Sequence, residues 1–308
     1  MLKFTLSRAL TGALVVFTVA TITFFLLRTL PGGPFDEDKT LPPEIQRNIE
    51  KKYRLDEPVW KQYLYYIYDL SRGEFGPSYK YIDRSVNDII KNTLPVSVKL
   101  GAVGFALVLS IGGTVGVLSS VRPRGLADFA GVAAATTLVS VPSFVVGALL
   151  MYFFSVRLGW LPAALWGRPE HFVLPALTLA IGPAAYLSRL IRGSMLETSG
   201  SAFIRTARAK GLGQFKIVLK HVLKNALIPI LTVLGPIAAF LVTGSFVVEH
   251  IFEIPGMGKF FVIAVSNRDY PLVMGITVIY TVILVLANFV VDLSYALIDP
   301  RITFEKQR

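Results

Sequence analysis

The chain contains no cysteine, which excludes a disulfide framework and any thiolate-held metal. Its three histidines, His171, His221 and His250, lie far apart, and no His-Glu-x-x-His or related ligand spacing occurs. That pattern argues against a metal enzyme. A phosphate-cradling Gly-x-x-x-x-Gly-Lys-Ser/Thr loop is also missing. Its nearest lookalike, Gly256-Met257-Gly258-Lys259-Phe260, has Glu253 where the first glycine belongs and Phe260 in place of the magnesium-binding hydroxyl. No Gly-x-Ser-x-Gly nucleophile elbow is present. Charge is scarce too: 17% of the 308 residues are charged and 53% are hydrophobic, where a soluble domain uses roughly a quarter charged. The apolar excess is therefore expected to face lipid.

What is present is a series of long uncharged windows. A hydrocarbon core about 30 Å thick needs roughly 20 apolar residues in a helix. Six windows approach that length: Ala9 to Leu27, Leu100 to Val121, Phe129 to Val156 with Pro142 near its middle, a shorter one from Phe172 to Ser188 carrying Pro175 and Gly182-Pro183, Asn225 to Val248, and Tyr270 to Val291. Backbone polar groups in lipid must be satisfied within the segment, so the prediction is an all-α membrane protein with six transmembrane helices. The first window is followed by Thr29-Leu30-Pro31-Gly32-Gly33 and no small-x-small cleavage pattern, so it reads as a retained signal anchor.

Orientation follows from the basic residues. With six spans both termini share a side, and fifteen Lys and Arg fall on it against only Asp128, Glu197, Asp299 and Glu305. The chain's whole excess of +11 thus sits on one face, which the positive-inside rule makes cytoplasmic. No nucleic-acid partner is needed to explain it. On the other side, Pro31 to Thr93 is nearly balanced in charge and holds Tyr53, Trp60, Tyr63, Tyr65, Tyr66 and Tyr68, with helix-like stretches from Pro43 to Tyr53 and Val59 to Leu70. A small ordered extracytoplasmic cap is expected, its aromatics anchoring at the bilayer interface in preference to contacting ligand.

Within the spans, Asp292 is the one acid, near the cytoplasmic end of the sixth. Capping or pairing accounts for it better than a proton relay. Gly112 and Gly116 form a small-xxx-small face in the second span, with Gly113 beside them, a pattern for close helix packing.

The connection from Arg189 to Lys224 reads RLIRGSMLETSGSAFIRTARAKGLGQFKIVLKHVLK. Two helical units meet at a turn supplied by Gly211 and Gly213. In the second, Phe215, Val218, Leu219 and Val222 share one face and Lys216, Lys220 and Lys224 another, the pattern of an amphipathic helix at a membrane surface.

Arg205-Thr206-Ala207-Arg208-Ala209-Lys210-Gly211-Leu212 resembles the cytoplasmic motif of binding-protein-dependent ABC importer permeases. The general form is Glu-Ala-Ala, three residues, Gly, nine residues, then Ile-x-Leu-Pro. Ala207, Gly211 and Leu223 match it, while Arg205, Thr206, His221 and Lys224 depart from it. The stretch is very similar to the peptide-importer branch, as is the Asn225 to Pro229 run after it. Leu30 to Pro34, Thr93-Leu94-Pro95, Val141 to Phe144, Arg192 to Met195, Pro255 to Gly258, Asn267 to Pro271 and Ile298 to Arg301 extend the resemblance over nearly the whole chain. Phe75 to Tyr81, with Ser85-Val86-Asn87-Asp88, resembles the oligopeptide B-type transmembrane subunit in particular.

The resemblance implies a type I ABC importer transmembrane fold. Residues 1–93 would form the first helix and cap, 94–298 a five-helix transmembrane domain with its coupling loop at about 192–224, and 299–308 a cytoplasmic tail. It implies that Phe203, Arg205, Thr206, Ala207, Arg208, Lys210, Gly211 and Leu212 couple to an ATPase subunit. The small residues Ala207, Ala209 and Gly211 would permit close approach and the cations would orient the contact. It also implies a homologous second permease subunit, two ATPase subunits that bind the ATP and magnesium, an extracytoplasmic peptide-binding protein, a peptide substrate, and surrounding lipid in the bacterial inner membrane. This chain itself would hold no cofactor and would not be an enzyme. Dipeptides or another small solute, such as nickel, are the alternative cargo. A secondary transporter is the rival from another class, disfavoured because no internal repeat relates residues 1–150 to 151–308.

Overall fold

Apolar runs without charge satisfy their backbone in hydrocarbon only as helices, and the chain does so along nearly its whole length. The computed structural model describes residues 2–31, 33–35, 48, 51–244 and 246–298. Most of the stretch Pro43 to Tyr53, the tail 299–308 and the motif running on from Ile298 lie outside them.

Helix α1 (Leu2–Thr29) presents Leu6, Leu10, Leu14, Phe17, Ile22, Phe25 and Leu26 outward and packs on the last helix along its other side. Helix α2 (Val59–Ser71) is the amphipathic cap helix. Helix α3 (Val86–Val121) begins about four turns before its apolar window, which starts at Leu100. A capping box starts it: Ser85 accepts from the Asp88 N–H at 3.1 Å, and Asp88 accepts from the Ser85 N–H at 3.3 Å. Pro95 is carried inside α3, and a π-helical turn spans Val108–Gly112.

The third window is not one straight helix. It splits into α4 (Leu126–Ser140) and α5 (Ser143–Arg157), bent by 106°. Proline disfavours the helical conformation of the residue before it; Val141 is extended, and Pro142 becomes the cap that starts α5. The pair still advances across the bundle. Asp128 on α4 holds Arg192 of α6 (Val173–Ser199), while Gly147 on α5 lies against Thr178 of the same helix. Those two points on α6 are roughly 21 Å apart at about 1.5 Å per residue. With the bent pair counted as one crossing, six helical segments among the described residues are long and apolar enough to cross a bilayer.

Helix α6 runs three turns beyond its apolar window, so Arg189, Arg192 and Glu197 belong to it. After a short α7 (Ala202–Ala209), α8 begins at Gln214–Lys216, passes through a π-helical turn at Ile217–Leu223 and continues as Lys224–Thr243, with Pro229 and Pro236 inside. The segment expected as an amphipathic helix at a membrane surface is therefore continuous with the span that follows it. Its predicted apolar face is also divided: Val222 is buried and Val218 half-buried, but Phe215 and Leu219 are exposed, and Ile217 is buried instead. The π turn, with its i to i+5 bonding, brings positions five apart onto one face. Two short helices, α9 (Phe246–Ile251) and α10 (Met257–Ser266), return the chain to α11 (Tyr270–Ile298). The main core is shared by α3, α6, α7 and α8, from Leu100 and Val108 through Leu187 and Ile191 to Ile217 and Leu241. No strand forms among the described residues; one isolated bridge pairs Pro77 with Ser85.

Candidate functional site

Between Gly200 and Gly213 the chain turns from α6 into α8. Ser201 adopts extended backbone ahead of α7, and its hydroxyl donates to the Thr198 carbonyl at 2.7 Å. The Lys210 N–H closes α7 on Thr206. The Gly211 N–H then bonds the Arg208 carbonyl at 2.9 Å and the Leu212 N–H the Ala207 carbonyl at 3.3 Å. This is a Schellman closure, with Gly211 at the left-handed position, φ 75°. Gly211 is thus required by backbone geometry. Space is not the constraint, because a Cβ there would meet nothing within 4 Å.

Helix α7 has two faces. Ile204 and Ala207 are buried in the main core with Ile191, Met195, Ile217 and Val222, and Leu212 packs partly against the same cluster. Phe203 is 48% exposed, and Arg205, Thr206, Arg208, Ala209, Lys210 and Gly211 are exposed around it. The expectation that Ala207 lends its smallness to an outside partner is corrected: it faces inward, where α7 must lie close to α6 and α8. Arg205, Arg208 and Lys210 have no ion-pair partner among the described residues. Ile204 and Ala207 thus connect the exposed face of α7 to the ends of α6 and α8.

The pairing of Asp128 with Arg192 went unassigned in the sequence, where Asp128 counted only as a charge and Arg192 as a charge and part of the Arg192 to Met195 stretch. Arg192 grips the carboxylate with two N–H groups, at 2.5 and 2.8 Å, and the Arg124 N–H adds a third donor at 2.8 Å. The bidentate geometry fixes α4 to the C-terminal part of α6. The intramembrane acid Asp292 on α11 pairs with Arg8 of α1 at 3.1 Å. Gly112 and Gly116 face α6, where a Cβ would come within 2.7 Å of the Ala184 and Ser188 carbonyls respectively.

At the opposite end two buried carboxylates act as clasps. Glu249, fully buried, accepts from the Ser97 hydroxyl of α3 at 2.8 Å and from the Lys259 N–H at 2.9 Å, and Ser97 in turn accepts from the Met257 N–H at 2.8 Å. It anchors the start of α10 to α3. Gly244 and Gly256 leave room for it, since a Cβ at either would collide with the carboxylate. Asp269, also fully buried, accepts from the Ser78 hydroxyl and from the Tyr79 N–H at 3.1 Å, joining the cap to the start of α11. The spacing of glycines around Glu249 was the available signal in the sequence; alone it does not reveal what they enclose.

The cap aromatics divide by role. Tyr63 and Tyr66 pack on Phe24 with centroids 5.3 and 5.4 Å away, and Tyr53, Phe35 and Tyr79 form a second group. Trp60, Leu64 and Tyr68, on another face of α2, are each more than half exposed. Interfacial anchoring therefore fits this outer stripe, and the inner rings belong to the fold. Burial pushes the Tyr66 and Tyr79 hydroxyls up to about 12.

Comparison with known proteins adds the family. The family model described as "Binding-protein-dependent transport system inner membrane component" matches residues 112–304, and "Binding-prot-dependent transport system membrane comp, N-term" matches residues 1–101. The chain is 44% identical over 307 residues to the dipeptide transport system permease protein DppB of Bacillus subtilis, covering 100% of both chains. It is 45% identical over 306 residues to the oligopeptide transport system permease protein OppB of Haemophilus influenzae, covering 99% of this chain and 100% of that one. Among solved structures, an inward-facing MetNI methionine ABC transporter chain matches with a TM-score of 0.56 at 21% identity, covering 68% of this chain and 96% of that one. A chain of an amino acid ABC transporter with histidines matches at 0.54 and 18% identity, covering 68% and 93%. Those likenesses show the fold.

Proposed function

The chain belongs to the family of binding-protein-dependent transport system inner membrane components, and from that premise we propose that it is the permease subunit of an ATP-driven importer carrying oligopeptides or dipeptides across the bacterial cytoplasmic membrane. The relatives' names supply the cargo class. Their identities of 45% and 44% do not separate the two peptide lengths; the Phe75 to Tyr81 stretch favours oligopeptides.

The observation that carries the mechanism is the two-faced α7. Its outward Phe203, Arg205, Thr206, Arg208 and Lys210 meet an ATPase subunit, and its inward Ile204 and Ala207 pass that subunit's movement to α6 and α8. Closure of two such subunits on ATP and magnesium tilts the spans against those of a second, homologous permease, so that the path between them opens alternately to each face. An extracytoplasmic binding protein delivers peptide to the outer end. The basic excess supports a cytoplasmic setting for both termini and the α7 turn. Residues 1–93 are the anchor and cap, 94–298 the transmembrane domain and 299–308 the tail.

The test is reconstitution of the complete transporter in liposomes with peptide uptake and ATP hydrolysis measured together. Charge reversal at Arg205 and Arg208 is expected to cut uptake severely while the variant subunit still inserts. Uptake by this chain alone without ATP overturns the assignment, as do reporter fusions that place Gly211 outside the cell.

A further inference from the structure

A cavity of about 240 Å³ lies under the cap, between the outer end of α1, helix α2 and the start of α11. Its floor is apolar, with Phe24, Pro271 and Met274, and its wall carries Arg28, Gln62 and Tyr66. Two polar groups here lack the partner their chemistry calls for. The first is Arg28. Its Nε and Nη2 donate to the neutral Gln62 Oε1 at 3.2 and 3.0 Å, and Nη1 donates to the Phe24 carbonyl at 3.3 Å, over the Phe24 ring. Asp69 lines the same cavity, yet no carboxylate of a described residue reaches ion-pair distance of Arg28. The second is the Tyr66 hydroxyl, buried without a hydrogen-bond partner among the described residues.

A partly buried cation with a neutral acceptor, beside an orphaned hydroxyl, fits an anionic oxygen ligand that accepts from both. Lys52 and Arg54 also line the cavity and strengthen the attraction for an anion. The placement selects the source. Arg28 is in the last turn of α1, a helix at the rim of the bundle whose exposed Ile22, Phe25 and Leu26 meet hydrocarbon. Helix α2 shows Trp60, Leu64 and Tyr68 outward at i, i+4 and i+8, a stripe suited to the headgroup boundary of the outer leaflet. The cavity thus opens at the depth of phospholipid phosphates.

We propose that Arg28 and Tyr66 form a phospholipid headgroup site, in which the lipid phosphate accepts from the guanidinium and the hydroxyl while the acyl chains lie along α1. The bound lipid fastens the cap to the first span.

The test is native mass spectrometry of the complete transporter drawn from phosphatidylglycerol nanodiscs and stripped progressively with detergent. The wild-type subunit is expected to keep one phospholipid after the annular lipids are gone. Arg28→Gln is expected to lower that retention about tenfold, the size of one charge-assisted hydrogen bond. Tyr66→Phe lowers it less. Arg72→Gln, whose side chain rests on the Tyr68 ring outside the cavity, leaves it unchanged. Equal retention in wild type and Arg28→Gln overturns the proposal. Should Arg28→Gln fail to assemble, unchanged retention in Tyr66→Phe overturns it instead. Displacement of the lipid by inorganic phosphate reassigns the site to a free anion, and displacement by transported peptide reassigns it to a peptide carboxylate; either result rejects the lipid.

Discussion

Asp269 accepts a hydrogen bond from the Ser78 hydroxyl across 191 residues of sequence. The bond joins a loop of the outer cap to the first turn of α11. Ser78 also accepts from the Lys80 and Tyr81 N–H groups at 3.2 and 2.9 Å, so one carboxylate organises the whole 78–81 turn through a single side chain.

Replacing that carboxylate with a methyl group should release the cap. Asp269→Ala leaves the buried Ser78 hydroxyl and the Tyr79 N–H without their acceptor, which costs on the order of 2–4 kcal/mol for groups shut away from water. Ser78→Ala also leaves the part-buried Lys80 and Tyr81 N–H groups without their acceptor, but Asp269 keeps the Tyr79 and Leu272 N–H donors, so the cost should be smaller, about 1–2 kcal/mol. Limited trypsin digestion at Lys80 and Arg84 reads the difference: faster cutting is expected in Asp269→Ala than in Ser78→Ala, with wild type slowest. Equal rates in all three would detach Asp269 from the cap's stability.

The cap should also loosen at high pH. Burial holds Tyr66 and Tyr79 neutral up to about 12, against an ordinary tyrosine value of about 10. An acid whose proton is held more tightly in the folded state gives full stability below the unfolded value and loses it as pH rises through the folded one. Alkali between about pH 10 and 12 therefore favours the detached cap, in which both rings ionise freely. Spectrophotometric titration of the tyrosinate band should show a late-titrating set of rings, and Tyr66→Phe should remove one of them. A curve in which every tyrosine titrates near its ordinary value would contradict this packing.

At the inner end, the Asp128 and Arg192 pair should be strongly coupled. Arg192→Gln strands a carboxylate that is 4% exposed, leaving it the Arg124 N–H alone. Asp128→Asn spares the acceptor for that N–H but lets Arg192 go. Because each single variant leaves its partner unmatched, the double variant should lose less thermal stability than the two losses added together. Additive losses would show that the bidentate contact carries no coupling.

How much of this was legible beforehand depends on what each feature requires. Five of the six spans needed only the length of an apolar run, and the breadth of those windows made them readable. The third was readable as a crossing but not as a bent one, because Pro142 is compatible with both a continued and a broken helix until the neighbours of α5 are known. The basic stretch after Gly213 showed helical period, but the π turn at Ile217–Leu223 shifted the buried positions to Ile217 and Val222. A period of 3.6 cannot foresee that shift. The clasps at Glu249 and Asp269 were hidden for another reason. Their partners Ser97 and Ser78 lie 152 and 191 residues away, and nothing local in the chain announces the meeting.

Gly112 and Gly116 offer an internal comparison with Gly113. A Cβ at Gly116 would lie 2.7 Å from both the Ser188 carbonyl and the Ile191 Cβ, whereas one at Gly113 meets nothing within 4 Å. Gly116→Ala should therefore push α3 from α6 and cost about 1–3 kcal/mol. Gly113→Ala should be neutral or slightly stabilising through helix propensity, by roughly 0.5–1 kcal/mol. Unfolding midpoints in one detergent decide it, and a Gly113→Ala penalty as large as that of Gly116→Ala would remove steric packing as the explanation.

Gly211 separates two explanations for the turn after α7. If a partner must approach it closely, any side chain is harmful and a larger one is worse. If the need is the backbone at φ 75°, alanine should cost roughly 1–2 kcal/mol of local stability, while asparagine, larger but tolerant of that conformation, should cost less. The exposed setting and the open space around the position favour the second explanation. Coupled peptide uptake per ATP hydrolysed, measured in the reconstituted transporter, should therefore fall further in Gly211→Ala than in Gly211→Asn. The reverse order would mean that the partner surface, and not the Schellman closure, sets the residue at this position.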